Sequence, residues 1–222
     1  MYNRFSNNNQ NPIYKEIIIF MEVLIRPYEE KDYIEMLNVT MELWNLKMSP
    51  YTKRDIFTNT NIIKDTGTIP SKINEGIIIA EVDECIAGVV HLDYCGKRVS
   101  KPESLCVLRL IQKYGLFRLL KVREMGRFFE HGVKEDELHI HGIVVSSKFR
   151  SMGIGSKLFK EIESIAEKKN IKKITLEVLD TNVSAYNLYK RLGFKDISKS
   201  TFTKKQQKYF KSNSHLYMMK EL

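Results

Sequence analysis

The sequence predicts an α/β fold. Apolar runs with strand character alternate along the chain with segments whose apolar residues recur at helical spacing. A glycine-bearing turn at residues 150–155 joins one such strand directly to one such helix. With 222 residues, the chain is long enough to bury one substantial core, so we expect a single domain.

The first half of the chain opens with a polar, asparagine-rich stretch. We expect residues 1–21 to be an N-terminal extension, partly disordered, and residues 22–222 to form the domain. Met1 and Met21 both stay open as the natural start. The elements predicted next are a strand over 17–26, helices over 31–46 and about 53–64, and strands over 76–82 and 85–92 with a tight turn between them.

Residues 103–130 are predicted to form a helical insertion. Its apolar stripe comprises Leu105, Leu108, Leu110, Ile111, Tyr114, Phe117, Leu120, Met125, Phe128 and Phe129. Its basic side comprises Arg109, Lys113, Arg118, Lys121, Arg123 and Arg127, and Gly115 and Gly126 are candidate breaks. We expect one or two helices that pack over the sheet or onto a second subunit. A helix lying on a membrane surface would show the same pattern, so that alternative stays open.

The second half of the chain continues the alternation of strands and helices. A strand over 138–145 leads through the glycine turn into a helix that carries Leu158, Phe159 and Ile162. The remaining predicted elements are a strand over 174–179, a short helix closed by Gly193 and Phe194, and strands near 194–199 and over 215–220.

The turn at residues 150–155 is a candidate cradle for a pyrophosphate. The first amides of a helix lack partners within the helix, and the helix dipole favours an anion there. Arg150 adds a positive fork suited to phosphate oxygens. A Walker loop needs lysine before serine, whereas the order here is Ser156 then Lys157. A dinucleotide fingerprint needs a third glycine where this chain has Leu158.

Two motifs in sequence order give the chain a family resemblance. The first is Arg150-x-x-Gly153-x-Gly155, and the second runs from Asn182 through Ala185, Leu188 and Tyr189 to Gly193-Phe194. With this pair, the chain resembles the GCN5-related N-acetyltransferase (GNAT) superfamily. The resemblance implies a single-domain fold with a mixed, mostly antiparallel central sheet flanked by helices, here with an extra helical insertion between the third and fourth strands. It also implies acetyl-CoA as the acyl donor, a primary amine as the acceptor, and direct transfer in a ternary complex without a metal.

The resemblance also implies roles for individual residues. The backbone amide of Val145 is the candidate oxyanion donor, and Tyr189 is the candidate general acid. The expected cofactor-binding residues are Val144, Val145, Arg150, Ser151, Met152, Gly153, Ile154, Gly155, Ser156, Asn182, Tyr186 and Tyr189.

The base that accepts the amine proton has less support from the family pattern. Many relatives use a glutamate on the fourth strand near the position of His141. This chain departs from that pattern, because His139 and His141 project to one face at strand spacing. An imidazole with an ordinary pKa near 6.5 suits a base at neutral pH. Glu137, two residues earlier on that face, is a candidate to orient a histidine or relay a proton.

Composition narrows the possible partners and location. The net charge is +9, but the lysines are spread along the chain and no nucleic-acid-binding motif occurs, so nucleic acid is not expected. The odd number of cysteines, three, without a C-x-x-C pair favours a reducing cytoplasm. No apolar run approaches the roughly 20 residues of a membrane span. We therefore expect a cytoplasmic enzyme acting on an amine-bearing small molecule or peptide, and a homodimer stays open. A regulatory acyl-CoA-binding module without turnover is the alternative.

Overall fold

The computed structural model describes residues 22–52, 56–69, 71–72, 75–95, 107–127 and 132–222. The predicted N-terminal extension therefore lies outside the described residues. The strands are β1 (Leu24–Pro27), β2 (Ile77–Val82), β3 (Cys85–Tyr94), β4 (Glu137–Val145), β5 (Lys173–Leu179), β6 (Lys195–Thr201) and β7 (Ser214–Glu221). The helices are α1 (Tyr33–Thr52), α2 (Ile56–Asp65), α3 (Val107–Tyr114), α4 (Leu116–Arg127), α5 (Ile154–Lys168), α6 (Val183–Arg191) and α7 (Lys204–Phe210).

All seven strands form one sheet in the order β1-β2-β3-β4-β5-β7-β6. The β4–β5 pair is parallel, and the other neighbouring pairs are antiparallel. The turn between β2 and β3 consists of Asp83 and Glu84, both with positive φ, at 49° and 62°. Two such residues give a hairpin whose twist matches the strands. The predicted mixed, mostly antiparallel sheet flanked by helices is confirmed.

Helices cover both faces of the sheet because its central strands are apolar on both sides. One core packs α5 residues such as Leu158 and Phe159 against sheet residues such as Ile140. The other packs α1 residues such as Met36 against sheet residues such as Val89. The apolar side chains of β4 divide between the two cores, which lie on opposite faces of the sheet.

Several element bounds differ from the predicted ones. Residues 17–21 of the predicted first strand lie outside the described residues, and the described strand begins at Leu24. Helix α1 extends beyond residue 46 to Thr52. Gly115, with φ of 80°, separates α3 from α4 as expected. Gly126, the other candidate break, lies one residue before the end of α4 at Arg127, and the residues that follow lie outside the described ones.

The connection between β3 and β4 contains α3 and α4. Tyr114 and Val122 are buried in the core beside α1 and α2, and the Tyr114 hydroxyl lies 2.6 Å from Asp65 Oδ2. Residues 103–106 and 128–130 of the predicted insertion lie outside the described residues. That these helices are an addition to the family fold stays a prediction. None of the described helices is long and apolar enough to cross a membrane.

Candidate active site

The parallel strands β4 and β5 separate halfway along their length. Their pairing runs from Glu137↔Lys173 to Ile140↔Leu176 and then ends, although β4 continues to Val145 and β5 to Leu179. Beyond Ile140, the edge of β4 that faces β5 is therefore open. Such an opening in the middle of a sheet exposes backbone groups to a ligand.

A β-bulge lies at the point where β4 leaves β5. On β3, His91 is paired with Gly142 and Leu92 with Ile140, so His141 is the additional residue. The rings of His139 and His141 contact each other edge to face, with centroids 5.0 Å apart. The bulge thus keeps both imidazoles together where the alternation of the strand is interrupted.

The turn after β4 leads into the N-terminus of α5. Ser151 and Gly153 both adopt left-handed backbone conformations, with φ of 66° and 73°. The first intrahelical bond runs from Lys157 N to Gly153 O, at 3.1 Å, so the amides of the three residues before Lys157 have no partner within the helix. A Cβ at Gly153 would meet no atom within 4 Å, which shows that the backbone here borders open space.

The end of β4 directs a backbone amide into the opening. Ser146 N donates to Ala87 O on the β3 side at 2.9 Å. Because successive amides of a strand alternate in direction, the Val145 amide points away from β3 and towards the gap. Glu42 of α1 holds the following turn, accepting hydrogen bonds from Ser146 Oγ and Ser147 N, both at 2.8 Å.

Arg150 has few contacts within the protein. Its side chain is 63 % exposed, with Nη2 4.0 Å from Glu42 Oε2. Its Nε is 3.5 Å from Val145 O, at the limit of a hydrogen bond. The guanidinium therefore keeps most of its donors available at the mouth of the cradle.

Helix α6 forms the opposite wall of the opening. Asn182 caps this helix through its Oδ1, which accepts from Ala185 N at 3.3 Å. Tyr189 is buried against the rings of Phe159 and Phe194, with centroids 5.7 and 5.9 Å away. Burial raises the pKa of Tyr189 to about 12, so its phenol is protonated at neutral pH. Tyr186 points elsewhere and hydrogen-bonds Asp196 Oδ2 through its hydroxyl at 2.9 Å.

Asp93 of β3 pairs with His141. The distance from His141 Nε2 to Asp93 Oδ2 is 2.6 Å, and the carboxylate is buried. An ionised carboxylate only accepts hydrogen bonds, so Nε2 carries the proton and Nδ1 is the accepting nitrogen of the neutral ring.

A second polar network lies beside His139. The hydroxyls of Thr175 and Tyr217 both donate to Glu137 Oε1, the latter at 2.8 Å. The single hydroxyl proton of Thr175 is donated to Glu137. His139 Nδ1 must therefore donate to Thr175 Oγ1, which is 2.8 Å away. Glu137 thus anchors this network from a buried position and does not itself reach the opening.

These features surround one cleft of about 950 Å³. The predicted site residues that line it are His139, His141, Val144, Val145, Arg150, Ser151, Gly153, Ile154, Gly155, Asn182 and Tyr189. Those that lie outside its lining are Glu137, Met152, Ser156 and Tyr186. The cleft is also lined by side chains that the sequence prediction did not include, namely Glu42, Leu43, Glu177, Phe202, Phe210, Lys211 and His215.

Two of the missed residues left a signal in the sequence. Asp93 lies between the apolar Leu92 and the aromatic Tyr94 in β3, and Glu177 lies between the apolar Leu176 and Val178 in β5. A carboxylate within a buried strand usually has a partner, because burial without one is costly. In β5, Glu177 faces His215 of β7, whose Nδ1 lies 3.4 Å from Glu177 Oε2.

A helix N-terminus beside an opened strand pair is a favourable position for a phosphate-bearing ligand. The family profile described as Acetyltransferase (GNAT) family matches residues 40–194, which is more than half of the chain. The chain belongs to this family. The predicted family and fold class are therefore confirmed.

Individual relatives are more distant. The chain is 33 % identical over 91 residues to the thialysine N-epsilon-acetyltransferase of Mus musculus, covering 41 % of this chain and 48 % of that protein. It is also 33 % identical over 82 residues to an N-alpha-acetyltransferase of Sulfurisphaera tokodaii, covering 36 % of this chain and 46 % of that protein. The chain thus spans about half the length of these curated relatives.

A solved structure extends the likeness to most of the fold. A crystal structure described as an acetyltransferase superposes with a TM-score of 0.61 at 21 % identity, covering 89 % of this chain and 98 % of its own.

Proposed function

We propose that this protein transfers an acetyl group from acetyl-CoA to a primary amine by direct transfer in a ternary complex. The observation that carries the proposal is the single cleft between β4 and β5. Its lining includes both the anion cradle and a group of histidines and carboxylates. Membership of the GNAT acetyltransferase family supports the same activity.

The residues of the cradle fit a coenzyme A pyrophosphate. The unpartnered amides at the start of α5, the open space at Gly153 and the available guanidinium of Arg150 are all suited to phosphate oxygens. Asn182 and the Val144–Val145 backbone border the path that a pantetheine arm would take along the opening. When bound, acetyl-CoA supplies a thioester whose carbonyl carbon is open to attack by an amine.

Two groups act on the reacting atoms in this proposal. The Val145 amide donates to the thioester oxygen as negative charge develops there, and such a preorganised donor is commonly a large catalytic term. Tyr189 donates its proton to the sulfur as the carbon–sulfur bond breaks, so the coenzyme leaves as a thiol. Burial raises the pKa of Tyr189 to about 12, so the phenol is protonated in the resting enzyme and can donate a hydrogen bond to the sulfur.

His141 is the proposed base. Its Nδ1 takes the proton that the amine loses on forming the new carbon–nitrogen bond, while Asp93 holds Nε2. His139 and Glu137 form the neighbouring network and steady the ring of His141 through the ring contact. Glu177 lines the same cleft from the β5 side and is the competing candidate for the base.

The proposal is tested in two measurements on the purified chain. Calorimetry with coenzyme A should detect saturable binding, and a thiol-release assay with acetyl-CoA and a panel of amines should detect turnover. An absence of coenzyme A binding would contradict the proposal. Binding without turnover over a broad panel of amines would support the alternative of a regulatory module.

A second candidate function is association with a membrane surface through α3 and α4. On α3 and α4, Leu108 is 74 % exposed and Phe117 is 82 % exposed. Arg109, Lys121 and Arg123 lie on the same two helices, and no carboxylate occurs between residues 107 and 123. Exposed apolar groups among cations are typical of a surface that rests on anionic lipid.

Sedimentation with phosphatidylserine vesicles tests this candidate. The double substitution Leu108→Ser and Phe117→Ser should reduce the bound fraction, while the matched control Ile34→Ser should not, because Ile34 is exposed on a different helix. Equal binding by both variants would dismiss membrane association.

A further inference from the structure

Part of the cleft lining comes from elements that are distant from the cradle in the sequence. Leu43 of α1, Glu177 of β5, His215 of β7 and the segment around α7 all line the cleft. β7 lies between β5 and β6, and the end of the β6–β7 connection contacts the end of β5 through Asp180. This acceptor end, as we name these residues together with Phe202, Phe210 and Lys211, has no assigned ligand.

An aromatic wall forms one side of the acceptor end. The Phe202 ring lies 4.9 Å from that of Phe210 and is stacked on the His215 ring at 5.0 Å. Helix α7 connects the two phenylalanines and begins with a capping box between Thr203 and Gln206. The wall is therefore a formed surface, suited to an apolar side chain.

Among the described residues that form the acceptor end, the charges are few and of both signs. Glu177 contributes a carboxylate beside His215, and Lys211 contributes an ammonium group. Lys211 follows α7 with φ of 48°, and the next residues are held to the end of β5 by Asp180, which accepts hydrogen bonds from Ser212 Oγ and Ser214 Oγ. The other carboxylate lining the cleft, Glu42, already accepts two hydrogen bonds from the turn after β4.

This arrangement discriminates between kinds of amine. A polyamine carries several cations and needs several free carboxylates, whereas Lys211 would repel it. A peptide N-terminus has one ammonium group, an adjacent side chain and carbonyl oxygens that a lysine can contact.

Resting on the proposed function, we propose that the acceptor is the α-amine of a peptide whose first side chain is apolar. Its α-amine, whose ordinary pKa of about 8 leaves a fraction uncharged at neutral pH, lies between Glu177 and His141. Its first side chain packs on Phe202 and Phe210. Lys211 contacts the peptide backbone that follows and turns polyamines away.

A competition among acceptors tests the proposal. The full chain is given acetyl-CoA with three acceptors: a peptide with a free N-terminal leucine, the same peptide with a blocked N-terminus and an internal lysine, and spermidine. Mass spectrometry locates the acetyl group, and thiol release gives kcat/KM. We expect the free N-terminus to be preferred by about tenfold or more. Preference for spermidine or the lysine ε-amine would overturn the proposal.

Two variants test the residues themselves. Lys211→Glu should move the kcat/KM ratio towards spermidine by about tenfold, because it reverses one charge in the cleft. The control Lys208→Glu makes the same charge change on an exposed face of α7 outside the cleft lining, and should leave the ratio unchanged. Equal shifts in both variants would contradict a specific role for Lys211.

Phe202→Ala should lower kcat/KM for the leucine peptide about tenfold more than for a glycine peptide, through lost apolar contact. Equal loss for both peptides would contradict the aromatic wall as a binding surface.

Coenzyme A titrations on each variant separate this proposal from the proposed acetyltransferase activity itself. Unchanged binding with altered acceptor choice supports the acceptor site. A native chain that binds no coenzyme A or acetylates no amine overturns the proposed function instead.

Discussion

His141 Nε2 lies 2.6 Å from Asp93 Oδ2, across the bulge that links β3 and β4. Asp93 is 1 % exposed, whereas the His141 side chain is 17 % exposed and lines the cleft. A buried carboxylate that hydrogen-bonds one nitrogen of a partly exposed imidazole selects the tautomer and the orientation of the ring. The pair therefore couples a residue in the core to the proposed reacting atoms.

Replacing Asp93 with Asn tests this coupling. The amide keeps the size of the side chain but removes the charge that fixes the proton on Nε2, so we expect kcat to fall about tenfold or more. The pH profile of kcat should change as well, while the Kd for coenzyme A should not. The parallel substitutions His141→Ala and Glu177→Gln assign the base. An unaltered pH profile in Asp93→Asn and His141→Ala, with a changed one in Glu177→Gln, would favour Glu177.

Replacing Arg150 with Ala tests the cradle. Its guanidinium is mostly exposed, so we expect the free energy of unfolding to change by less than about 0.5 kcal/mol. The Kd for coenzyme A should rise about tenfold or more, since hydrogen bonds between charged groups are strong. Lys160→Ala removes the same charge from an exposed position on α5 outside the cleft lining. If calorimetry gave equal losses for both variants, general surface charge rather than the cradle would explain the effect.

Replacing Tyr189 with Phe tests the general acid. The ring contacts with Phe159 and Phe194 survive, so stability and coenzyme A affinity should be nearly unchanged. We expect kcat to fall about 100-fold, as is typical when a general acid is lost. The control Tyr186→Phe removes a hydroxyl that bonds Asp196 outside the cleft lining. A native kcat in Tyr189→Phe would remove this residue from the role.

Replacing Gly88 with Ala tests the packing between the sheet and α5. A Cβ there would lie 3.1 Å from both Leu158 Cδ1 and Val144 O. Gly88→Ala should therefore lower the free energy of unfolding by about 1–3 kcal/mol in urea denaturation. Gly142→Ala is the matched control, because its Cβ would meet Leu43 Cδ2 at an ordinary 3.7 Å. Equal stability of the two variants would show that α5 moves away without cost.

The buried His91 is expected to make the free energy of unfolding depend on pH. Burial lowers its pKa to about 4, with His141 lowering it further and Asp93 opposing the shift. Because the folded pKa is below the ordinary value of 6.5, the unfolded chain binds the proton more tightly. The free energy of unfolding is therefore at its full value, with respect to His91, above pH 6.5. It decreases as the pH falls towards 4, by up to roughly 3 kcal/mol.

Urea denaturation of the native chain and of His91→Gln, over the range from pH 7.5 to pH 4.5, measures this contribution. The variant should lose less stability on acidification than the native chain. Parallel curves would show that His91 titrates normally in the folded protein.

Much of the fold could be predicted because its signals are local. The strand over 138–145 and the helix that follows it correspond to β4 and α5, since apolar periodicity reports burial directly. Element ends were less predictable. Helix α1 extends beyond its predicted end to Thr52, because local sequence signals locate the ends of helices only approximately.

The sequence by itself was sufficient to predict the family, which the family profile confirms, and the candidate anion cradle. An anion cradle consists of consecutive backbone amides, so contiguous residues such as Arg150, Gly153 and Gly155 specify it. Only the tertiary structure decided the acceptor end. Asp93 meets His141, and Glu177 meets His215, because β3 pairs with β4 and β7 lies beside β5. Side chains from separate strands come together through strand order, and strand order depends on the packing of the whole sheet rather than on any short segment.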